Sequence, residues 1–339
     1  MLQGLFCLGY INHPSDFRAV KGQLARFKLL RVLCVDDISG FPSEIKSLIH
    51  LRYLQLFAWS IPSWISHLRD LQTFVLFNFH SLKKIPDSLW TIGNLRHVYL
   101  QCTSTAPPPN MGNNVPKNLQ TLEGVNAGSW IGNALPRLTN LCELSINEVS
   151  NDHADALSSS LQKLGRLASF SIKNDSDDGN EIPLDNIITA FSNQQCLKKL
   201  HLEVSLNSKQ LPHNDVFPQQ LLKLTLYNSK LEQDPMATLE KLPRLKYLLL
   251  YNAYTGKQMI CSATGFPQLL SLRISCLDDL EEWKIEEKAM SCLKSLDINT
   301  CGRLKMIPEG LKNVPLDQLK LLSMPEEFMT RIKENTGED

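Results

Sequence analysis

The residues of this sequence that could carry out chemistry are its nine cysteines, its eight histidines and several groups of carboxylates. The cysteines are never closer than nine residues apart, so the chain has neither a C-x-x-C metal motif nor the spacing of a disulfide framework. An odd number of scattered cysteines indicates buried, reduced thiols, because a free cysteine packs as a small apolar residue. The dispersed histidines form no H-E-x-x-H motif.

Motifs for nucleotide binding and for acid or base catalysis are also missing from the sequence. The fragment nearest to a phosphate-binding loop, TGKQ at 255–258, has no upstream glycine and no hydroxyl residue after the lysine. The carboxylates Asp278, Asp279, Glu281 and Glu282 are predicted to form a solvated acidic surface. We therefore expect no enzyme, no catalytic residue and no cofactor.

One segment, residues 174–185, has the outline of a calcium-binding loop. Gly179 stands at its sixth position and Asp185 at its twelfth. Pro183 interrupts the segment, and no helix pair flanks it. We expect no metal site there.

The composition points to a protein that buries a large core and is not attracted to phosphate backbones. The 339 residues are 43% hydrophobic, and 35 basic residues balance 35 acidic ones. This balance argues against nucleic acid as a partner. No apolar run is long enough to cross a membrane, and the N-terminal residues lack the pattern of a signal peptide. We therefore predict a cytoplasmic protein with no membrane span.

The strongest pattern in the sequence is a repeat. An apolar triplet of the form L-x-x-L-x-L recurs fourteen times at intervals of 20 to 30 residues, and four consecutive intervals are 24 residues long. This period is typical of leucine-rich repeats. The middle positions of the triplets are Leu8, Leu33, Leu54, Phe74, Val98, Leu122, Leu144, Phe170, Leu200, Leu224, Leu248, Leu272, Leu296 and Leu319.

The spacing within each triplet predicts a short strand, because side chains alternate between the two faces of an extended segment. In one repeat, Leu248 and Leu250 should face the core while Leu249 and Tyr251 face outward. A single strand of this length cannot cover its own apolar side, so successive coils must stack. We predict an α/β leucine-rich-repeat solenoid, a curved horseshoe with a concave parallel sheet of about 14 short strands and an irregular or short-helical convex side.

The repeat also predicts the domain organisation. Residues 1–323 should form the solenoid as one domain, and 324–339 should form a helical cap with a polar tail, since Phe328 and Ile332 fall on one helical face. No nucleotide-binding domain is present in the sequence. The first repeat begins almost at once, so we expect a further N-terminal unit or a partner to cover that edge.

Cys301 illustrates how the repeat explains a residue of reactive type. It lies just after the strand of its coil, where the chain turns inward, and Trp59, Ala253 and Leu277 occupy the matching positions of other coils. No ligand or base stands at a fixed distance from it. We therefore predict that Cys301 fills the core.

Aromatic and histidine side chains are expected on the exposed, concave face of the sheet. Tyrosine and tryptophan are enriched at binding hot spots, and aromatic rings on an exposed sheet favour contact with another molecule. A protein-binding surface is the prediction; the alternative is that some rings lie on neighbouring strands as cross-strand pairs. The residues are Tyr53, Phe57, Phe77, His97 and Tyr99 near the N-terminus, and Tyr227, Tyr247 and Tyr251 further on.

Several segments resemble the leucine-rich-repeat region of plant nucleotide-binding immune receptors of the coiled-coil class. They include LQTLEGV (119–125), PRLKYLLLYNAYTGKQM (243–259), FPQLLSLRISCLDDLEEWKIEEKAM (266–290), SLDINTCGRLKMIPEGL (295–311) and MPEEFMTRIKENTGED (324–339). The resemblance implies a protein ligand, either a pathogen effector or a guarded host protein. It also implies restraint of a nucleotide-binding module, supplied in cis or in trans, without ATP or ADP binding by this chain.

Two other classes of protein are alternatives. One is a generic intracellular leucine-rich-repeat scaffold that binds a host signalling protein. The other is an extracellular receptor ectodomain, which the sequence favours less. Repeats of that kind resemble L-x-G-x-I-P, whereas Ile61-Pro62, Ile85-Pro86 and Ile307-Pro308 have no glycine at the corresponding place.

Overall fold

The computed structural model describes residues 5–8, 24, 26–35, 43–78, 81–102, 105–109, 111, 115–174, 181–192 and 194–336. These residues form two compact units. The first takes the described residues up to Val149 together with Ser159–Leu167, and the second takes Ser150–Ser158 and the described residues from Ala168 onward. The expectation of a single solenoid domain over 1–323 stays a prediction.

The first unit contains seven short strands that pair in chain order, each parallel to the next. They are β1 (Leu5–Leu8), β2 (Val32–Val35), β3 (Tyr53–Phe57), β4 (Thr73–Asn78), β5 (His97–Cys102), β6 (Thr121–Asn126) and β7 (Glu143–Asn147).

The second unit repeats this arrangement and adds a second, two-stranded sheet. Seven strands pair in parallel, namely β8 (Ser169–Lys173), β9 (Lys199–Glu203), β10 (Lys223–Tyr227), β11 (Tyr247–Tyr251), β13 (Ser271–Ser275), β15 (Ser295–Asn299) and β16 (Gln318–Leu322). The additional pair is β12 (Gln258–Cys261) with β14 (Glu282–Ile285), also parallel.

Short helices fill most of the remaining segments. The α-helices within the described residues are α1 (Asp87–Trp90), α2 (Trp130–Asn133), α3 (Ala154–Leu161), α4 (Leu184–Thr189), α5 (Met236–Leu239) and α6 (Glu326–Thr336). The 3₁₀-helices are Ser43–Ser47, Ser63–His67, Leu135–Arg137, Asn151–His153, Asn214–Val216 and Glu309–Asn313. The parallel sheets and the short helices confirm the predicted α/β leucine-rich-repeat solenoid.

The strands form where the sequence predicts them, because the alternating apolar residues are buried on one side. From Leu33 to Leu296, all twelve middle positions of the triplets are no more than 2% exposed. In β11 the burial alternates along the strand, with Leu248 and Leu250 buried and Tyr247 exposed. Burial of each such leucine contributes roughly 1.5 to 3 kcal/mol, so the inward row is the main source of stability.

Leu319 departs from this pattern, and its predicted inward position is wrong. It is 43% exposed in β16, which pairs with β15 on one side. A strand at the end of a sheet has no following coil to cover its apolar side. In the C-terminal helix α6, Phe328 is buried, but this helix leaves Leu319 accessible to solvent.

A left-handed backbone residue follows several strands of the second unit. Asn228, Asn252, Cys276, Thr300 and Ser323 come directly after a strand and have φ angles between 47° and 54°. Asparagine tolerates this conformation, whereas a β-branched residue such as threonine is strained in it. The geometry of the coil therefore sets the left-handed turn after these strands, because the turn forms even at Thr300, a residue type that disfavours it.

Asparagines that precede strands join successive coils of the first unit. The side-chain amides of Asn94, Asn118 and Asn140 each donate a hydrogen bond of 2.8 to 3.0 Å to a main-chain carbonyl of the preceding coil. These bonds satisfy carbonyls that the short return segments leave without a helical partner. The asparagines thus act as cross-links between coils.

Cys301 is buried, as predicted, and fills the core. Burial raises the pKa of its thiol to about 11, which keeps it protonated and unreactive at neutral pH. Ala253 and Leu277 are buried at the matching positions, but the inward placement of Trp59 is wrong: this side chain is 54% exposed. The preceding residue, Ala58, takes the buried place in that coil.

Candidate protein-binding surface

The outward side of the strands is the candidate surface, and we call it the strand face. It is formed by the first, third and fifth residues of each strand, which alternate with the buried positions. Adjacent strands lie about 4.8 Å apart, so register partners on this face are direct neighbours. Positions four residues apart along one strand are separated by roughly 13 Å.

Two of the predicted aromatic residues of the first unit are neighbours. Phe57 and Phe77 are register partners at the ends of β3 and β4, and both are half-buried. Tyr53 lies at the other end of β3, where its hydroxyl donates a 2.8 Å hydrogen bond to Oε1 of Gln55. The two phenylalanines therefore form one apolar contact area, and Tyr53 belongs to a different part of the strand face.

His97 is a half-buried residue at the start of β5. Its Nδ1 lies 3.0 Å from the hydroxyl of Thr121 on the next strand. Burial lowers the pKa of His97, while the nearby carboxylate of Glu143 acts in the opposite direction. The ring is consequently neutral at pH 7 and offers a hydrogen-bonding, uncharged group.

Tyr99 occupies the centre of the strand face of the first unit. Its register partners are Val75 on β4 and Glu123 on β6. Beyond Glu123 the strand β6 contains a bulge, where Gly124 has a φ of 79°. A Cβ at this glycine would lie 1.9 Å from the carbonyl oxygen of Leu100, so only glycine fits at this place in the bulge.

In the second unit, Tyr227 and Tyr251 stack on each other. Their ring centroids are 4.1 Å apart and their planes differ by 12°. The cross-strand alternative is therefore correct for this pair, and such stacking contributes about 0.5 to 1.5 kcal/mol beyond area burial. A hydrogen bond with the Cys276 thiol raises the pKa of Tyr251, so its hydroxyl stays protonated.

Tyr247 is the most accessible of the predicted aromatic residues. It is 47% exposed at the start of β11, between its register partners Lys223 and Ser271. Four residues separate it from Tyr251, so the two rings of β11 lie at opposite ends of the strand. A large, exposed ring on a rigid strand is the geometry of a binding anchor.

Sequence reasoning noted only part of the charge on the strand face, namely Lys173, Lys199 and Glu203, and assigned no function to it. The strand face of the second unit carries five cationic side chains and two carboxylates, a net charge of +3, although the whole chain is neutral. The signal was available, because the same register that placed the tyrosines also places these residues outward. They are Lys173, Lys199, Lys223, Arg273 and Lys320, against Glu203 and Asp297.

The acidic residues considered for catalysis engage in ion pairs. Asp279 lies 2.8 Å from Arg303, and Glu281 lies 2.8 Å from Lys305. The ammonium groups of Lys305 and Lys257 lower the pKa of Glu281, which keeps it ionised. The prediction was a solvated acidic surface; Asp279 and Glu281 instead form ion pairs that join neighbouring coils.

The described part of the chain holds no cluster of three or more histidine, cysteine or acidic side chains suited to a metal ion. Most of the calcium-like segment, 175–180, lies outside the described residues. No described helix is long and apolar enough to cross a membrane.

Curated proteins similar to this chain include disease resistance proteins of a plant. "Probable disease resistance RPP8-like protein 4" and "Disease resistance protein RPP8", both of Arabidopsis thaliana, are each 33% identical over 327 residues, which cover 92% of this chain and 35% of either relative. The chain thus spans about a third of the length of the curated relatives it matches.

Solved structures share the fold. The leucine-rich-repeat ectodomain of the Arabidopsis thaliana receptor kinase GASSHO1/SCHENGEN3 aligns with a TM-score of 0.52 and 19% identity, over 89% of this chain and 43% of that one. An internalin from Listeria monocytogenes aligns with a TM-score of 0.51 and 18% identity, over 91% and 84%. At this identity the likeness concerns architecture alone.

The match to a family model agrees with the repeat pattern and with the architecture. Residues 13–328 match the model described as the leucine-rich repeat region. The resemblance to the leucine-rich-repeat region of plant disease resistance proteins is confirmed, and the chain belongs to the leucine-rich repeat region family.

Proposed function

We propose that this chain is a protein-recognition module of plant innate immunity that senses a pathogen effector or a guarded host protein. The observation that carries the proposal is the similarity of 92% of the chain to plant disease resistance proteins. The mode of action is binding, because parallel strands in register present rows of outward side chains to a partner.

The proposed contact residues are the aromatic and histidine side chains of the strand face. In the first unit these are Tyr53, Phe57, Phe77, His97 and Tyr99, and in the second Tyr227, Tyr247 and Tyr251. The exposure of Tyr247 and the apolar pair Phe57 and Phe77 support contact with a protein, since buried aromatic anchors account for much of the free energy of protein association. The stacked pair Tyr227 and Tyr251 offers its ring edges to the same ligand.

A second element of the proposal concerns restraint. In a longer protein, or together with a separate partner chain, this module holds a nucleotide-binding module inactive until the ligand binds. The proposed location is the cytoplasm. The support is the similarity to resistance proteins of which the chain covers about a third of the length.

Proximity labelling in infected and uninfected plant cells tests the proposal. The wild-type chain should label at least one effector or host protein in an infection-dependent way, and Tyr247→Ala should reduce that labelling. The matched control is Ile260→Ala, which also shortens an exposed hydrophobic side chain but lies on β12, away from the strand face.

Two results would contradict the proposal. Labelling that is identical in infected and uninfected cells and confined to a host signalling protein would favour the generic scaffold. Equal loss of labelling in the tyrosine and isoleucine variants would remove the strand face from the contact.

A further inference from the structure

A polar cavity lies on the strand face of the second unit, at the N-terminal and central parts of its last strands. Its volume is about 210 Å³, and its charged and aromatic lining comprises Lys223, Tyr247, Arg273, Asp297 and Lys320. All five residues lie at first or third strand positions on the outward face. The cavity is therefore built by the repeat itself and not by a loop.

Arg273 is the oriented cation of this cavity. Its Nε donates a 3.0 Å hydrogen bond to Oδ2 of Asp297, its register partner on β15. The carboxylate is nearly buried while the guanidinium is half exposed. Asp297 therefore holds the guanidinium by its inner nitrogen, which leaves the two terminal nitrogens of Arg273 outside this hydrogen bond.

Asp297 itself is only partly used by this contact. Its other carboxylate oxygen, Oδ1, is buried and has no hydrogen-bond partner among the described residues. Because the carboxylate is largely shielded from water, its attraction for the neighbouring guanidinium is screened less than that of a fully exposed pair. This attraction favours the observed orientation of Arg273.

Two lysines add positive charge to the same cavity. Lys320 is the register partner of Asp297 on the far side from Arg273, and Lys223 is the register partner of Tyr247. Among the described residues, neither lysine forms an ion pair. Three cations and one carboxylate leave the cavity lining with a net charge of +2.

We infer that this cavity binds an acidic side chain of the protein ligand, and that the ligand therefore presents a segment rich in aspartate or glutamate. A carboxylate matches the planar, forked geometry of the terminal guanidinium nitrogens and accepts two parallel hydrogen bonds from them. Lys223 and Lys320 neutralise neighbouring acidic residues of the segment. Tyr247 packs against its aliphatic portions.

The inference deepens the proposed function and rests on it, but its test uses the purified chain. Binding of fluorescein-labelled oligoglutamate is followed by fluorescence anisotropy at pH 7 and low salt, with oligoglutamine of equal length as the neutral probe. Oligoglutamate should bind, and its affinity should fall as salt is added. Oligoglutamine should not bind.

Substitutions then locate the binding. Lys223→Gln and Lys320→Gln should each weaken oligoglutamate binding by up to about fivefold, as expected for exposed charge pairs. Arg273→Lys keeps the charge beside Asp297 but removes the fork, and should weaken binding by about tenfold. The matched control is Lys284→Gln, which removes an exposed charge on β14 and should leave binding unchanged.

Four results would overturn the inference. The first is an equal loss of oligoglutamate affinity in Lys284→Gln and Lys320→Gln. The second is an Arg273→Lys variant that keeps the wild-type unfolding midpoint and binds oligoglutamate as tightly as the wild-type chain. The others are tighter binding of a phosphoserine peptide or of single-stranded DNA with the same variant pattern, which would reassign the cavity to phosphate. Failure here would leave recognition through the aromatic residues standing, whereas failure of the labelling experiment in cells would remove the proposed function.

Discussion

Replacing Leu248 by aspartate perturbs the feature on which the fold depends most, the inward row of the second unit. Leu248 is 2% exposed, and its register partners Leu224 and Leu272 are also buried. The substitution forfeits roughly 1.5 to 3 kcal/mol of leucine burial. It also places a carboxyl group without a partner in the core, which costs at least about 1 to 3 kcal/mol even in the protonated form. The expected loss of about 2.5 to 6 kcal/mol is large against a typical total of about 5 to 15 kcal/mol.

The matched control is the same substitution one residue further, Leu249→Asp. Leu249 is half-buried on the strand face, where water can solvate the new carboxylate, so we expect a loss of less than about 1.5 kcal/mol. Urea denaturation followed by circular dichroism gives both free energies of unfolding. Amide hydrogen exchange in β10, β11 and β13 shows whether the loss is local to these coils. Equal destabilisation by the two substitutions, or a larger effect at Leu249, would refute the register.

Three further substitutions test separate features of the coils. Thr300→Gly should raise the free energy of unfolding by roughly 0.5 to 1 kcal/mol, because it relieves the left-handed strain of a β-branched residue; a lower unfolding midpoint would contradict this. Asn118→Ala should lower the free energy of unfolding, measured by heat or urea, by about 0.5 to 1.5 kcal/mol, because the carbonyl of Gly93 loses its hydrogen-bond donor. An unchanged free energy of unfolding would show that water replaces the amide. Burial lowers the pKa of His201 in the folded chain, so the unfolded chain binds the proton more readily. The contribution of His201 to the free energy of unfolding should therefore be complete above about pH 6.5 and decrease below it, and stability should fall less steeply with acid in His201→Gln. A steeper fall in that variant would contradict the direction of the pKa shift.

The inward half of the fold could be predicted from sequence because one rule generates it. Alternation within each triplet and the 24-residue period decide which side chains are buried, and Leu200, Leu224, Leu272 and Leu296 follow that rule. The rule fails where a neighbouring coil is absent or irregular. Leu319 lacks a following coil, and the coil of Trp59 buries the preceding alanine instead.

The second sheet could not be predicted from the leucine triplets, because it lies in the return segments between them. Strands β12 and β14 bury Met259 and Trp283 as register partners, together with Cys261 and Ile285. Each strand is only four residues long, so its alternation is too short to distinguish from an irregular return segment. Its pairing appears only when the coils are stacked.

The outward half of the fold was predicted as a face but not as a set of contacts. Sequence reasoning listed aromatic residues, yet side-chain geometry decides that Tyr227 and Tyr251 stack on each other while Tyr247 extends into solvent. The contact between Arg273 and Asp297 is the clearest omission. Their 24-residue separation equals the repeat period, so a search for opposite charges one period apart would have found it.

The central claim is that the strand face, and not the return side of the coils, contacts the protein ligand. Site-specific photo-crosslinking tests it most directly, with p-benzoylphenylalanine introduced at Tyr247 on the strand face or at Ile260 on the second sheet, in plant cells during infection. Both positions are exposed, so the crosslinker is accessible in each case. The account predicts a covalent adduct with an effector or host protein from position 247 and none from position 260. Adducts from position 260 alone, or of equal yield from both positions, would contradict it.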